Sequence, residues 1–171
     1  FCRPYADFVS AFIKKHGVKT VVDLGCGDFE VGSTVDYADA KVTAVDGSLH
    51  HIGSHTAKYQ ADDRFTFVHG DLEQFDSSGF DLALMKDVVQ HWPMENILNF
   101  LSKRHAKYLL LTNDTQGGIV NGDIPFREME NDRLQVNVRG LDFDAEPLSF
   151  LKAERVFEWG AGKVTVLITR T

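Results

Sequence analysis

The sequence alternates between two patterns of apolar residues. Short apolar runs that end in glycine or aspartate predict strands buried on both faces of a sheet. Between several of them, apolar residues recur at spacings of three and four, as on the buried face of a helix. The predicted strands are 20–24, 42–45, 65–68, 80–85, 108–112, 153–159 and 164–169. The predicted helices are 5–16, 48–58 and 93–104.

Alternating strands and helices are typical of an α/β fold, in which right-handed crossovers produce a parallel sheet. The glycine-containing turn 160–163 joins the last two strands into a hairpin. We therefore expect a mostly parallel sheet with an antiparallel C-terminal hairpin strand and helices on both faces. The chain is interpreted as one domain over 1–171, in which the polar excursion 113–147 forms an insertion or lid on the substrate side.

Composition and charge narrow the possible functions. With 171 residues, 43% of them hydrophobic and 25% charged, the chain has the composition of one soluble globular domain. The net charge of −7 disfavours a nucleic-acid partner, because such proteins neutralise phosphates with lysine and arginine. No apolar run approaches the roughly 20 residues that span a bilayer. The two cysteines, Cys2 and Cys26, form no disulfide or metal framework and fit the reducing cytoplasm.

Acidic and glycine residues follow several of the predicted strands. The carboxyl ends of parallel strands meet at one edge of a sheet, and ligands bind there beside the strand at which the order reverses. These residues therefore predict one binding crevice. They are Asp23 with Gly25, Cys26 and Gly27, then Asp46 with Gly47, Asp71 with Leu72, and Asp87.

The residue types suit a ligand that contains a nucleoside. A glycine turn lets the backbone approach a ligand closely. Asp46 ends the second strand, where its carboxylate can accept hydrogen bonds from ribose hydroxyls. Asp71 can accept from the exocyclic amine of adenine, while Leu72 donates its N–H to a ring nitrogen. A dinucleotide is disfavoured, because Glu30 stands in place of the third glycine of Gly-x-Gly-x-x-Gly and would repel a pyrophosphate.

Each of these residues also has a purely structural interpretation. The glycines would then form a tight turn without a ligand, and Asp46 would be an ordinary turn or helix-start residue. Asp71 would be the N-cap of the segment that follows it.

At these positions the sequence resembles the class I S-adenosylmethionine-dependent methyltransferases. The matching stretches are 21–28, 42–46, 69–71, 80–82 with the strand after it, 109–111 and the closing hairpin. The resemblance implies a Rossmann-like seven-stranded sheet, with S-adenosylmethionine as cofactor and S-adenosylhomocysteine as product. It implies that the first loop holds the methionine part, the second-strand acid the ribose and the third-strand acid the adenine. In this sequence these are Asp23, Gly25, Cys26 and Gly27, then Asp46 and Gly47, then Asp71 and Leu72.

Asp87 and His91 form an Asp-x-x-x-His motif after the fourth strand. Together with 121–124 and 139–142, this motif is similar to a subgroup of small methyltransferases that accompany glycan and polysaccharide synthesis. The similarity implies O-methylation of a sugar hydroxyl, with glycosyltransferases or other domains of a longer chain as partners. The chain begins at Phe1 without an initiator methionine, which fits a domain cut from a longer protein.

A hydroxyl acceptor has to lose a proton during methyl transfer. We assign the general base to His91, because the ordinary pKa of histidine, about 6.5, lies close to working pH. If 87–91 form a helical turn, Asp87 shares a face with His91 and orients the imidazole. The structural alternative is that His91 merely ends this turn and packs beside Trp92.

The acceptor is expected to contact the excursion 113–147, whose predicted substrate residues are Asn113, Asp114 and Arg139. Arg139 could equally pair with an acid of the same segment. The segment carries more acidic than basic residues, which suits a neutral polyol or a cation and disfavours nucleic acid.

Metal assistance is the next question, because some sugar and catechol methyltransferases hold Mg²⁺ at the ends of these strands. Asp87, Asn113 and Asp114 offer oxygen ligands near those places. Lys86, however, stands where the first acidic ligand would lie, and the order Asn113–Asp114 differs from the catechol type. The sequence therefore leaves Mg²⁺ open and does not favour it.

Other functions stay open. The chain could be a non-catalytic cofactor-binding or interaction module of a larger protein, or a methyltransferase for a different small-molecule acceptor. An NAD-dependent oxidoreductase is weakened by Glu30. Substitution of His91 separates an enzyme from a module, since only the enzyme has turnover to lose.

Overall fold

The computed structural model describes residues 2–103, 105–115, 120–122, 140–160 and 162–170. In these ranges the α-helices are Arg3–His16 (α1), Leu49–Tyr59 (α2) and Met94–Leu101 (α3). The strands are Thr20–Leu24 (β1), Lys41–Asp46 (β2), Phe65–His69 (β3), Leu82–Lys86 (β4), Tyr108–Asp114 (β5), Glu154–Trp159 (β6) and Lys163–Thr169 (β7). Every predicted helix and strand is present, with shifts at the ends. Residues 116–119 and 123–139 of the excursion, and with them Arg139, lie outside the described residues.

The seven strands form one sheet in the order β3-β2-β1-β4-β5-β7-β6. β1 pairs in parallel with both β2 and β4, and β2 pairs in parallel with β3. β6 and β7 pair antiparallel, as the hairpin turn predicts. The predicted architecture is thus confirmed, and the strand order reverses at β1, where ligands of such sheets bind.

Strand β4 begins later than the sequence predicts. The apolar pattern places its start at residue 80, whereas the strand begins at Leu82. The reason is Asp81, whose carboxylate accepts hydrogen bonds from the N–H groups of Lys19 and Thr20 at 2.8 and 3.0 Å. This side chain joins the start of β1 to the approach to β4, which hydrophobic periodicity does not reveal.

The chain divides into two compact units, one of residues 1–85, 104–110 and 169–171 and the other of 86–103 and 111–168. In the first unit, Phe29 is 2% exposed and packs edge-on against Tyr59, Phe65 and Phe67, with ring centroids 5.2–5.8 Å apart. Gly32 permits this packing, because a β-carbon there would lie 2.3 Å from the Phe29 ring. The loop after β1 is thus anchored by an aromatic side chain.

In the second unit, strand β7 of the C-terminal hairpin makes a buried side-chain contact with β5. The hydroxyls of Thr112 and Thr165 are 2.9 Å apart, and both side chains are fully buried. Among the described residues, no helix is both long enough and apolar enough for a membrane span.

Candidate active site

The loop after β1 is shaped by two glycines in the left-handed region of backbone space. Gly25 has φ +87° and Gly27 has φ +52°, values that are strained for residues with a β-carbon. The N–H groups of Gly25 and Cys26 both donate to the carbonyl of Val45, at 2.8 and 3.2 Å. The loop is therefore attached to β2 at the carboxyl ends of both strands.

Asp46 fixes the loop from the end of β2. Its Oδ2 accepts the N–H of Gly27 at 2.9 Å, and its Oδ1 accepts the N–H of Ser48 at 2.8 Å. Each carboxylate oxygen can accept more than one hydrogen bond, so capacity remains for a ligand. A β-carbon built at Gly27 or Gly47 would have no atom within 4 Å, which means that both glycines border open space. Asp46 is thus a half-buried, oriented carboxylate beside two glycines that border open space.

Two histidines hold the carbonyls of the same glycines. His55 Nε2 is 2.9 Å from Gly27 O, and His69 Nε2 is 3.1 Å from Gly47 O. Because a carbonyl only accepts, both imidazoles carry a proton on Nε2. Sequence reasoning missed this role of His55, which lies with Ile52 on the buried side of α2.

Asp71 follows β3 and is exposed. Its Oδ1 accepts the N–H of Glu73 at 2.9 Å, which is the capping role that the structural interpretation predicts. One carboxylate oxygen is thus used in the turn, while the second is available for the predicted adenine contact. Leu72, the predicted backbone donor to adenine, lies inside this turn.

Cys26 contributes to the loop through its backbone and not through thiol chemistry. Burial, with the charges of Asp23 and Asp46, raises the pKa of its thiol to about 12. The thiol therefore stays protonated at neutral pH and is a poor nucleophile. Asp23 lies in β1, where it pairs in register with Ala44 of β2.

In the second unit, four charged side chains form a cluster at the ends of β4 and β5 and the start of β7. Asp87 binds the ammonium groups of Lys86 and Lys163, one with each carboxylate oxygen. Lys163 Nζ also lies 2.8 Å from Asp114 Oδ2. All four side chains are between 19% and 27% exposed. We refer to Lys86, Asp87, Asp114 and Lys163 as the charged cluster.

Asp87 has an unusual backbone conformation for a residue other than glycine. Its φ is +58°, and its N–H donates to Thr112 O at 2.8 Å. Such conformations are costly and concentrate at functional sites. Burial opposes ionisation of Asp87, but the hydrogen bonds from Lys163 and Lys86 outweigh it and hold its pKa below the usual range.

His91 ends the 3-10 turn Val89–His91 and its side chain is exposed at the surface. Partial burial lowers its pKa, the negative charge of Asp87 opposes this shift, and the positive charge of Lys163 adds to it. The lowered pKa favours the neutral imidazole, which is the state that a general base requires.

The predicted orientation of His91 by the Asp87 carboxylate needs correction. The turn begins at Val89 and so excludes Asp87, whose carboxylate is bonded to two lysines instead. Asp87 acts on the ring through its charge and through a backbone hydrogen bond.

The charged cluster is poorly suited to Mg²⁺. Both acids that would supply carboxylate ligands, Asp87 and Asp114, are bonded to lysine ammonium groups. A divalent cation bound by these two carboxylates would have to displace the Lys163 ammonium group. The displaced positive charge would then lie beside the cation and repel it. The sequence analysis identified Lys86 as an obstacle to a metal site. It missed Lys163, which lies far from Asp87 in the sequence, in the C-terminal hairpin.

Asn113 lies on β5 and is 2% exposed, yet neither its side-chain oxygen nor its nitrogen has a hydrogen-bond partner among the residues that the structure describes. It lines a cleft with apolar walls whose other residues are Thr115, Leu141, Phe143, Arg155, Val164 and Val166. Arg155 pairs with Asp142 and Asp144 at 3.1 and 2.9 Å, a role that sequence reasoning had allowed for Arg139.

The fold and the first loop together define an α/β domain for a nucleoside-containing ligand. Residues 21–107 match the family model described as a methyltransferase domain. The chain belongs to this methyltransferase domain family, which confirms the predicted enzyme class and S-adenosylmethionine as its cofactor. A search of curated protein sequences found no significant match.

Solved structures agree in fold at low sequence identity. The methyltransferase domain of bacterial CtHen1-C has 16% identity and a TM-score of 0.69, with 98% of this chain and 97% of that chain covered. Magnesium protoporphyrin IX methyltransferase (ChlM) from Synechocystis PCC 6803, with bound SAM, has 17% identity and a TM-score of 0.65, covering 99% and 79%. The mitomycin 7-O-methyltransferase MmcR has 18% identity and a TM-score of 0.70, covering 99% and 54%. One fold thus serves proteins named for unlike acceptors, so fold alone does not identify the acceptor.

Proposed function

We propose that this methyltransferase transfers a methyl group to a hydroxyl of a small acceptor, and that the acceptor is a sugar of a glycan. The observation that carries this proposal is the placement of His91 in the surface segment after β4 that also holds Asp87, with partial burial lowering the pKa of the imidazole and so favouring its neutral form. A hydroxyl needs such a base, whereas an already nucleophilic acceptor does not. That the hydroxyl belongs to a sugar is inferred from the resemblance of the Asp-x-x-x-His motif to the glycan-associated subgroup.

The cofactor residues are proposed in the first unit. Asp46 would bind the ribose hydroxyls, because its carboxylate is already oriented by two backbone N–H groups. Asp71 and Leu72 would bind the adenine. The rest of the cofactor would be held by Asp23, Gly25, Cys26 and Gly27 of the first loop and by Gly47 after β2, of which Gly27 and Gly47 border open space.

Bound S-adenosylmethionine supplies a methyl group on a positively charged sulfur. His91 would take the proton of the acceptor hydroxyl on its unprotonated ring nitrogen as the oxygen bonds to the methyl carbon. The methyl–sulfur bond would break in the same step, and S-adenosylhomocysteine would leave. The negative charge of Asp87 stabilises the imidazolium that forms. His91 releases its proton to solvent, because its pKa below 6.5 favours the neutral ring at pH 7.

Asn113, Asp114 and Arg139 are proposed to contact the acceptor. The Asn113 side chain has a carbonyl oxygen that accepts hydrogen bonds and an NH₂ group that donates them. Two adjacent hydroxyls of a sugar could bind to this pair of groups. Apolar walls such as Phe143 suit the C–H face of a sugar ring. An acceptor would approach this cleft beside the Arg155 side chain, which is 41% exposed.

The test is methyl transfer from radiolabelled S-adenosylmethionine to panels of glycosides, catechols and primary amines. The proposal expects label in a glycoside ether that is absent with His91→Gln. Transfer to amines alone would contradict the proposal that the acceptor group is a hydroxyl. Transfer to catechols alone would contradict the proposal that the acceptor is a sugar. Cofactor binding without any transfer would favour a non-catalytic module.

A cytoplasmic location is favoured by Cys2 and Cys26, both free thiols among the described residues. Glycosyltransferase domains as partners follow from the subgroup resemblance alone.

A further inference from the structure

Lys163 is the first residue of β7, immediately after the turn of the C-terminal hairpin. That turn is fixed to the chain at the end of β5. Both the N–H and the hydroxyl of Thr115 donate to the carbonyl of Gly162, at 2.8 and 3.1 Å. The position of the Lys163 backbone is therefore set by the hydrogen bonds of its neighbour.

The side chain of Lys163 joins two acids that follow different strands. Its ammonium group binds Asp87 Oδ1 and, at 2.8 Å, Asp114 Oδ2. Only 19% of the side chain is exposed, so water screens these contacts less than it screens surface ion pairs. Lys86 binds the second oxygen of Asp87, and the two positive charges balance the two negative ones.

His91 lies in the electric field of this cluster. The charges that act on its pKa are those of Asp87 after β4, Asp114 at the end of β5 and Lys163 at the start of β7. The two acids favour a protonated imidazole, and Lys163 favours a neutral one. Without Lys163, both acids would act on the ring with less opposition.

We propose that Lys163 is a positioning residue for methyl transfer: it holds Asp87 and Asp114 in place and balances their charge beside His91. This inference rests on the proposed role of His91 as general base. The inference gives the C-terminal hairpin a part in methyl transfer. The hairpin supplies Lys163, one of the two positive charges that balance Asp87 and Asp114 near His91.

The experiment is an NMR titration of the His91 imidazole in protein labelled with ¹³C-histidine, with the signal assigned by its absence in His91→Gln. It needs neither cofactor nor acceptor. In Lys163→Met, the proposal expects the His91 titration midpoint to move to higher pH. Lys163→Arg, which restores the charge, should return the midpoint toward the wild-type value.

Lys41→Met is the matched control, because Lys41 also lies at the start of a strand and pairs with an aspartate, Asp63, but at the surface. This variant should leave the His91 midpoint unchanged. An unchanged midpoint in Lys163→Met, or an equal shift in Lys41→Met, would overturn the proposal. Should Lys163→Met not fold, Lys163→Gln keeps hydrogen bonding without the charge, and the same shift is expected.

Failure of this proposal can be told from failure of the proposed function. If the midpoint does not move but His91→Gln abolishes transfer, only the role of Lys163 is wrong. If the midpoint moves but His91→Gln transfers methyl groups normally, the cluster tunes a histidine that is not the base.

Discussion

The Nε2 atom of His55 lies 2.9 Å from the carbonyl oxygen of Gly27. The N–H of the same glycine is bonded to Asp46, so both polar groups of Gly27 are held by side chains from β2 and α2. A glycine is otherwise the residue with the most backbone freedom. Fixing it in advance reduces the ordering that a cofactor would have to impose.

The first prediction concerns this contact. His55→Leu should weaken S-adenosylhomocysteine binding up to about tenfold, because one hydrogen bond contributes about 0.5–1.5 kcal/mol. Isothermal titration calorimetry measures it. His50→Leu, an exposed position on the same helix, is the control and should bind normally. Equal affinities in both variants and the wild type would show that the loop needs no support from His55.

The second prediction is a gain in stability. Asn113→Leu should raise the free energy of unfolding by about 1–3 kcal/mol, because it removes a buried amide that has no hydrogen-bond partner in the described part of the chain. For a chain of this size, each kcal/mol raises Tm by roughly 2–4 °C. Asn99→Leu, the same change at an exposed site, should have little effect. A lower Tm for Asn113→Leu would mean that the amide is satisfied in solution. Loss of transfer in the stabilised variant would support an acceptor role.

The third prediction is a pH dependence. The neutral form of His91 is the active one, and its pKa lies below 6.5. Under saturating substrates, methyl transfer should therefore be constant around pH 7 and fall as pH drops below 6.5. His91→Gln should have lost this acidic limb together with most of the rate, while its affinity for S-adenosylhomocysteine is unchanged. A rate that falls between pH 8 and 7 would assign the limb to another group.

The fourth prediction concerns Asp87 and stability. Its pKa is depressed in the folded protein, so its ion pairs stabilise the fold above the usual aspartate pKa and are lost as pH falls through the folded value. Asp87→Asn should lower the free energy of unfolding at pH 7 by about 1–3 kcal/mol, between exposed and fully buried pairs. Urea unfolding should show this difference shrinking below about pH 4. A difference that does not depend on pH would point to packing.

Much of the fold was predictable, because strands such as Thr20–Leu24 and Tyr108–Asp114 are short apolar runs that can be recognised from the local sequence alone. The acids after the strands were predictable for the same reason, since a strand end can be found from sequence. Lys163 was not, because its partners depend on hairpin register and on strand order. The positive φ of Asp87 was also hidden, since its sequence neighbours contain no glycine.

The most direct test of the account is calorimetry with S-adenosylhomocysteine on the wild type and on Asp46→Ala, with NAD as a control ligand. We predict saturable binding by the wild type, weakened about tenfold or more in Asp46→Ala because charge-assisted hydrogen bonds are lost. Asp63→Ala, which removes an exposed aspartate, should bind normally. No binding at millimolar ligand by folded wild-type protein, or equal binding of NAD, would contradict the cofactor site described above.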